Sequence, residues 1–459
     1  MQIEFPEDRQ MVASGSLGED IRFSNRFVKD DDGWDLDRGA LVFGGAAPTV
    51  PESRGLHISG QTPLLYLSDW LALAKSAQSD GPRFTDRLRS VDIAIGDLHL
   101  FGQHLVEHRV TVDRSGAEWL VQANGESVVG TATIPYDLLA GRPVTLDMQK
   151  LLLPGADDEH HRREGVAGVD PRSLPGISIK ADEFAFGERF LGAIVADFRK
   201  TADGLRAIDV RAEDPSFTVT GSVAWIADPA SGDAPKTEVV ATLLSRNVKQ
   251  TMQRLAYDPI IDSDRMEIGL DVFWSGGPRE DFLDDLSGSV DVRLAAGQLN
   301  DVEPGAGRVF SLMSIVELPR RLSLDFRDVF DKGLSFDEIT GTFFLSSGEA
   351  YTCDLSLKGS AADIGMVGRV GLAVGEYEQT AIVSPNVGNT LPVVGAVVAG
   401  PQVAAALLIF SQIFKKPLQE MGQVYYAING PLDNPIIEAA DAARFAETSQ
   451  RASCLAPAQ

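Results

Sequence analysis

Acidic and histidine residues stand side by side at positions 157–161. Carboxylate oxygens and imidazole nitrogens are metal ligands, so Asp157, Asp158, Glu159, His160 and His161 are the first candidates for a metal site. They stand in a polar segment rich in Pro and Gly, which is typical of a solvated loop. We therefore interpret this group as a charged loop between strands.

A second histidine pair, His104 and His108, has a spacing of four that could bind a metal ion on a helix. The surrounding sequence FGQHLVEHRVTVD alternates like a strand instead. On a strand the two rings would share one face but lie about 13 Å apart. We expect both histidines to be structural.

Enzyme motifs are absent from the sequence. It contains no G-x-S-x-G, G-x-x-x-x-G-K or G-x-G-x-x-G after a strand, and neither H-E-x-x-H nor C-x-x-C. Its acidic residues are scattered through turns, so no pair suggests a general acid and base. A hydrolase would need a clustered Ser or carboxylate site that the sequence does not reveal. The sequence therefore predicts no catalytic residue, no metal site and no cofactor.

Charge and cysteine content narrow the choice further. The formal net charge is −25, with 66 acidic and 41 basic residues. Nucleic-acid binding needs a basic surface, so this class is disfavoured. Two cysteines exclude a disulfide framework and a four-cysteine zinc site. Cys353 lies in a strand-like run and Cys454 in the polar tail, so we do not expect them to pair.

Alternation of apolar and polar residues is the dominant pattern, and it indicates half-buried strands separated by turns. Two segments with similar sequences, 286–302 and 339–355, suggest a repeated hairpin. The prediction is a mainly β protein with an extended, twisted antiparallel sheet of repeated hairpins. Apolar residues at alternate positions would line one face: Ile268, Leu270, Val272, Val290, Val292, Leu294, Leu355, Leu357, Val370 and Leu372.

Apart from the uncharged C-terminal segment described below, helices are predicted at 68–78, 247–258, 307–319 and, frayed, within 438–459. They are too few to cover a sheet of about twenty strands. The sheet could curl into a groove whose apolar lining binds acyl chains. A sheet closed on itself or a sandwich remains the alternative.

One uncharged segment stands out near the C-terminus, because no residue from Gln379 to Phe414 is charged. Gly400-Pro401 interrupts it, and a helix from Pro401 to Lys415 would be about 22 Å long, too short to span a bilayer comfortably. We expect the segment 391–418 to cap the groove or to contact a membrane, rather than to cross it. The apolar face of this helix would consist of Val403, Leu407, Phe410 and Phe414.

Two segments, 299–350 and 384–437, contain a series of distinctive elements. They are V-E-P-G-A-G-R at 302–308, L-P-R-R-L at 318–322, D-F at 325–326, L-P at 391–392, Gly395, G-P at 400–401, K-P-L at 416–418, Tyr426, Gly430 and D-N-P at 433–435. These segments resemble the C-terminal part of members of the YhdP family, large AsmA-like envelope proteins of Gram-negative bacteria. Weaker similarities occur at 55–60 and 170–175.

This resemblance implies a non-enzymatic protein of the periplasm that is associated with membranes. Family members are anchored in the inner membrane by an N-terminal helix, which we do not expect in this chain. Their repeated hairpins form a long groove that carries phospholipid toward the outer membrane. The implied partners are phospholipid, the inner or outer membrane surface and an envelope protein. A module that docks such a partner through 391–418 without carrying lipid is the alternative.

The sequence divides into four parts by composition and pattern. We predict an N-terminal β-repeat part at 1–153, a loop or joint at 154–176, a C-terminal β-groove domain at 177–437 and a frayed helix with a tail at 438–459. The uncharged segment belongs to the third part.

Overall fold

The computed structural model describes most of the chain. The described residues are 1–7, 9–30, 33–67, 84–100, 103–138, 141–154, 169–232, 234–278, 282–300, 334–360, 362–385, 423–432 and 435–454. They form two compact units, Met1–Ala207 and Ile208–Gln459. The predicted boundaries at 153, 176 and 437 stay predictions.

In its described part, unit 1 (Met1–Ala207) consists of strands with one short α-helix and one 3₁₀ turn at Pro171–Ser173. The helix is α1 (Phe84–Arg87). The strands are β1 (Gln2–Glu7), β2 (Gln10–Leu17), β3 (Ile21–Lys29), β4 (Trp34–Phe43), β5 (Gly55–Tyr66), β6 (Leu88–Leu100), β7 (Gln103–Ser115), β8 (Glu118–Gly125), β9 (Val128–Pro135), β10 (Val144–Leu153), β11 (Ile177–Phe186) and β12 (Arg189–Lys200), and the unit ends within β13 (Gly204–Asp214).

Unit 2 (Ile208–Gln459) continues with the same kind of strand and two longer helices. The helices are α2 (Val248–Arg254) and α3 (Ala442–Arg451). The strands are β14 (Phe217–Asp228), β15 (Ala234–Ser245), β16 (Ile261–Ser263), β17 (Met266–Ser275), β18 (Ser287–Leu294), β19 (Gly297–Leu299), β20 (Leu334–Phe336), β21 (Glu338–Ser346), β22 (Glu349–Lys358), β23 (Ala362–Gly371), β24 (Glu376–Pro385), β25 (Val424–Pro431) and β26 (Ile436–Ala440).

The prediction of a mainly β fold is confirmed, since 23 of the described strands belong to one sheet. Most neighbouring strands pair antiparallel, as expected, but the sheet as a whole is mixed. Strand pairs β4–β5, β5–β6 and β10–β11 are parallel. Parallel neighbours need a long crossover connection instead of a tight turn. The segment 154–176, predicted as a joint, is one of these connections, between β10 and β11.

The repeated hairpin is observed in only one of its two predicted copies. Strands β21 and β22 pair across a turn in which Ser347 and Gly348 have positive φ angles of 50° and 77°. This geometry suits a two-residue hairpin turn. In the other copy, β18 pairs with β21, and β19 instead joins β16 and β20 in a separate three-stranded sheet. Segment 286–302 is therefore not a hairpin.

The predicted helix at 247–258 is observed as α2. The Asn247 side chain caps it by accepting a hydrogen bond from the Gln250 N–H at 3.0 Å. Val248 and Met252 are buried on its apolar face. At its C-terminal end Arg254 forms an ion pair of 2.9 Å with the buried Asp214. The cap stabilises the start of the helix, and the ion pair attaches its end to the segment before β14.

The C-terminal segment folds back onto the sheet, and this corrects two predictions. Residues Ile436–Ala440 form a strand, so the helix at 438–459 begins only at Ala442. Phe445 of α3 is fully buried against Val367 and Ile382. The expectation that the cysteines stay unpaired is wrong, because Cys353 of β22 and Cys454 form a disulfide with a Cα–Cα distance of 5.3 Å. Packing of the helix brings the polar tail to the strand.

Among the described residues, no helix combines the length and the apolar composition needed to cross a membrane. Segment 391–418, with Val403, Leu407, Phe410 and Phe414, lies outside the described residues. The predicted helices at 68–78 and 307–319 also lie outside the described residues.

Candidate functional site

The predicted lining residues of unit 2 come together on one face of its sheet. Ile268 lies directly opposite Val292, and Leu270 lies opposite Val290. Leu294 begins a cross-strand row that continues through Ile339 to Leu357. Leu355, Val272 and Val370 belong to the same face, whereas Leu372 lies in the turn that follows β23.

Burial differs along this unit 2 face. Leu294, Leu355, Leu357 and Val370 are fully buried, and the neighbouring residues Val272, Val290 and Val292 are nearly so. Ile268 and Leu270 on β17 are only half-buried. The face is therefore packed core around β22 and β23 and becomes accessible to water toward β17.

Unit 1 carries a longer apolar face that sequence reasoning missed. Its strands align so that one apolar residue from each forms an unbroken cross-strand row on ten neighbouring strands, β3 to β12. At a strand spacing of about 4.8 Å the row extends for about 43 Å. The row consists of Phe23, Leu41, Ile58, Val91, Val112, Val121, Ala132, Leu146, Ile179 and Ala196.

A second row runs beside the first. On each strand its residue is two positions away from the residue of the first row, so the two rows share one face. Its glycines stand where a side chain would collide with a neighbouring strand. A Cβ on Gly60, whose φ is +117°, would lie 2.1 Å from the Phe43 carbonyl oxygen. The row consists of Ile21, Phe43, Gly60, Ile93, Val110, Ala123, Gly130, Met148, Ala181 and Ile194. We call the two rows together the unit 1 apolar face.

The first row of the unit 1 apolar face is only partly shielded from water, whereas Phe43, Ile93, Met148 and Ala181 of the second row are buried. Every residue of the first row is half-buried except Ala196, which is buried. The opposite face of the same sheet is polar: Arg109 holds Asp92 through two hydrogen bonds of 2.8 and 2.7 Å, and both side chains are about half exposed. The sheet is therefore amphipathic, with one wet face and one apolar face.

His108 lies beside the two rows, directly opposite Ile95 and Gly125. The residue is 2% exposed, and its Nε2 accepts a hydrogen bond from the Val128 N–H at 3.1 Å. Burial lowers the pKa of His108 below its ordinary value, although the Val106 carbonyl and the Glu126 carboxylate favour the charged ring. The imidazole is therefore neutral at physiological pH.

The two histidines of the predicted pair have separate surroundings. His104 stacks on His99, with ring centroids 4.7 Å apart, and Nε2 lies 2.9 Å from Asp97. His160 and His161 lie outside the described residues. In the part of the chain that the structure describes, no three His, Cys, Asp or Glu side chains are grouped so that they could hold a metal ion.

These features define a β-sheet protein in which one face is polar and the other is a long apolar face that suits the binding of an elongated apolar molecule. The sequence model of the YhdP family, described as YhdP protein, matches residues 1–437. The chain belongs to the YhdP family, which confirms the resemblance noted in the sequence.

One relative is the "Intermembrane phospholipid transporter YhdP" of Escherichia coli (strain K12). It is 23% identical to this chain over 455 residues. The alignment covers 92% of this chain but 34% of the relative. The chain therefore spans about a third of the length of the curated relative that it matches.

Proposed function

We propose that this chain is part of a non-enzymatic lipid-transfer protein of the Gram-negative envelope. Its unit 1 apolar face holds the acyl chains of phospholipid during transport between the inner and the outer membrane. The unbroken first row, from Phe23 to Ala196, is the observation that carries the proposal. The name of the Escherichia coli relative supports phospholipid as the ligand class.

The physical basis is burial of methylene groups without a chemical step. Each CH₂ group that leaves water contributes about 0.8 kcal/mol. Because each step along the first row offers a similar apolar side chain, a lipid that moves by one strand exchanges one set of contacts for an equivalent set. Movement along the face then has a low energy barrier. The headgroup remains in contact with water throughout.

The unit 2 face extends the proposal to the residues identified from sequence. Ile268 and Leu270 are half-buried and would be the accessible part of this second lining. The fully buried Leu294, Leu355, Leu357 and Val370 would contact lipid only if this face opened.

The disulfide between Cys353 and Cys454 supports a periplasmic location. Disulfides persist in oxidising compartments, among them the bacterial periplasm, and are rare in the cytosol. The inner and outer membrane surfaces on either side of that compartment are the proposed partners.

The test uses the oxidised chain, expressed in a Gram-negative periplasm and analysed by native mass spectrometry with lipid extraction. Val121 and Gln122 are neighbours on β8 that point to opposite faces, and Val121 is half-buried while Gln122 is exposed. Val121→Asp places a carboxylate in the first row, where burial of charge is unfavourable. We expect it to lower the phospholipid occupancy about tenfold, corresponding to about 1.4 kcal/mol.

Gln122→Asp is the matched control, since it adds the same charge to the polar face, and it should keep the occupancy of the wild type. Equal occupancy in both variants would reject the unit 1 apolar face as the binding surface. A folded wild-type chain without lipid would reject lipid holding and favour the docking module, with 391–418 as its surface.

A further inference from the structure

A cation–aromatic cluster borders the unit 1 apolar face. Arg114 follows Val110 and Val112 on β7 at alternate positions, so the three side chains share one face. Trp119 lies directly opposite Arg114 on β8. The guanidinium carbon lies 4.5 Å from the ring centre of Tyr136 and 5.8 Å from that of Trp119. The cluster stands where the apolar face meets the end of the strands.

In the described part of the chain, Arg114 has no carboxylate partner, unlike several arginines near it. Among the described residues it makes one hydrogen bond, from Nη1 to the Asp86 backbone carbonyl at 3.4 Å, and no ion pair. Several arginines at the same end of the strands are paired with a carboxylate: Arg26, Arg38 and Arg54 with Asp37, Arg87 with Asp35, and Arg142 with Glu118.

Two carboxylates beside this cluster have other partners. The Tyr136 hydroxyl donates a hydrogen bond to the Asp86 carboxylate, and Arg142 donates to Glu118 at 2.6 Å. A guanidinium has five N–H donors in a planar fork, so most donors of Arg114 remain for an anion. Arg114, Trp119 and Tyr136 are all half-buried, a position where a charge-assisted hydrogen bond is stronger than in bulk water.

We propose that Arg114 binds the phosphate of a phospholipid whose acyl chains lie on the unit 1 apolar face. This inference rests on the proposed function. Arg114 stands two residues, about 7 Å along the strand, beyond the first row at Val112. In a phospholipid, the glycerol ester region similarly separates the phosphate from the acyl chains. Trp119 and Tyr136 provide rings with an apolar body and a polar tip for that boundary.

The test compares two lipids with the same acyl chains, phosphatidylglycerol and diacylglycerol, which differ in the phosphate-containing headgroup. We expect Arg114→Gln to weaken phosphatidylglycerol binding about tenfold, the effect of losing hydrogen bonds to a charged group. Diacylglycerol binding should stay unchanged. Arg109→Gln is the matched control on the same strand, since Arg109 faces the polar side and holds Asp92. It should bind both lipids like the wild type.

A second measurement uses the wild-type chain and does not depend on how the variant folds. An arginine-specific reagent followed by peptide mass spectrometry reports the reactivity of Arg114. Phosphatidylglycerol should protect Arg114, and diacylglycerol should not. Inorganic phosphate is tested alone in the same assay, to separate a lipid headgroup from a free anion.

Each other outcome has a definite meaning. Equal loss of both lipids in Arg114→Gln, or no loss of either, would overturn the headgroup site while the lipid-holding function stands. Protection by inorganic phosphate in a chain that binds no phospholipid would overturn it in favour of a free-anion site. A chain that binds neither phospholipid nor diacylglycerol would reject the proposed function itself.

Discussion

At the scale of single residues, His108 shows how the sheet controls the charge of a side chain. Its ring fills the space over Gly125, where a Cβ would come within 2.3 Å of the imidazole. Nε2 accepts the Val128 N–H, so Nδ1 carries the proton of the neutral ring. Burial lowers the pKa of this histidine, which makes the folded state a weaker proton acceptor at this position than the unfolded chain.

We predict that His108→Gln reduces the loss of stability on mild acidification. The unfolded chain binds a proton at this histidine near pH 6.5, whereas the folded chain does so only at lower pH. Stability contributed by the neutral ring is thus fully present above about pH 6.5 and decreases as the pH falls below it. The amide oxygen of Gln can still accept the Val128 N–H.

Urea unfolding at pH 7.5 and pH 5.5 measures this difference. The wild type and the control variant His104→Gln, whose side chain lies next to Asp97, should both lose more free energy of unfolding than His108→Gln. The same pH dependence in His108→Gln as in the wild type would contradict the assignment.

At the scale of elements, the sequence predicted which side chains share a face of the sheet better than it predicted which strands pair. Alternation placed Ile268 and Leu270 on the same side as Val290 and Val292, because the side-chain period of a strand is two. The same pattern says nothing about which strand pairs with which. The pairing of β18 with β21 and the parallel pairs of unit 1 were therefore missed. Arg114 and Trp119 were missed for the same reason, since only the β7–β8 register brings them together.

The disulfide could not be inferred from sequence because it depends on how α3 packs. The buried residues Phe445 and Thr448 of the helix face β23 and β24. A hydrogen bond of 2.8 Å joins the hydroxyl groups of Thr448 and Thr380. Arg451 adds an ion pair of 2.6 Å with Glu378. These contacts carry Cys454 to β22, so the bridge fastens the end of a helix that the sheet already holds.

We predict that reduction of this disulfide destabilises unit 2 and loosens α3. The bridge joins residues 101 positions apart, and disulfides that close long loops typically contribute about 2–4 kcal/mol. Urea unfolding with and without a reductant should show a loss of this size. Hydrogen exchange of residues 442–451 should become faster.

The double variant Cys353→Ala with Cys454→Ala is the control for this experiment. It should resemble the reduced wild type and should not respond to the reductant. A wild-type chain whose stability and exchange are the same in both redox states would contradict the stabilising role of the bridge.

At the scale of the whole molecule, two properties of an amphipathic sheet separate holding a lipid from moving it. Each half-buried position of the first row provides apolar contact, which is sufficient for holding. Movement also requires that the row is unbroken, because a lipid passes every strand in turn. A family member that only stored lipid would tolerate an interruption in the middle of the row, whereas a transporter would not.

Ala132, in the middle of the first row on β9, provides the test of continuity. We predict that Ala132→Glu slows the transfer of phospholipid between donor and acceptor vesicles more than tenfold. A carboxylate raises the barrier at one strand, since acyl chains must pass an ionised group. Lipid bound to strands on either side of it should remain detectable by native mass spectrometry.

Thr133→Glu is the matched control, because Thr133 follows Ala132 and points to the polar face, opposite Leu120 and Thr145. Its transfer rate should equal that of the wild type. If Ala132→Glu transferred lipid at the wild-type rate, lipid would not travel along this row. The proposed path would then have to be abandoned, even if the same face bound lipid tightly, because a path requires continuity and a binding site does not.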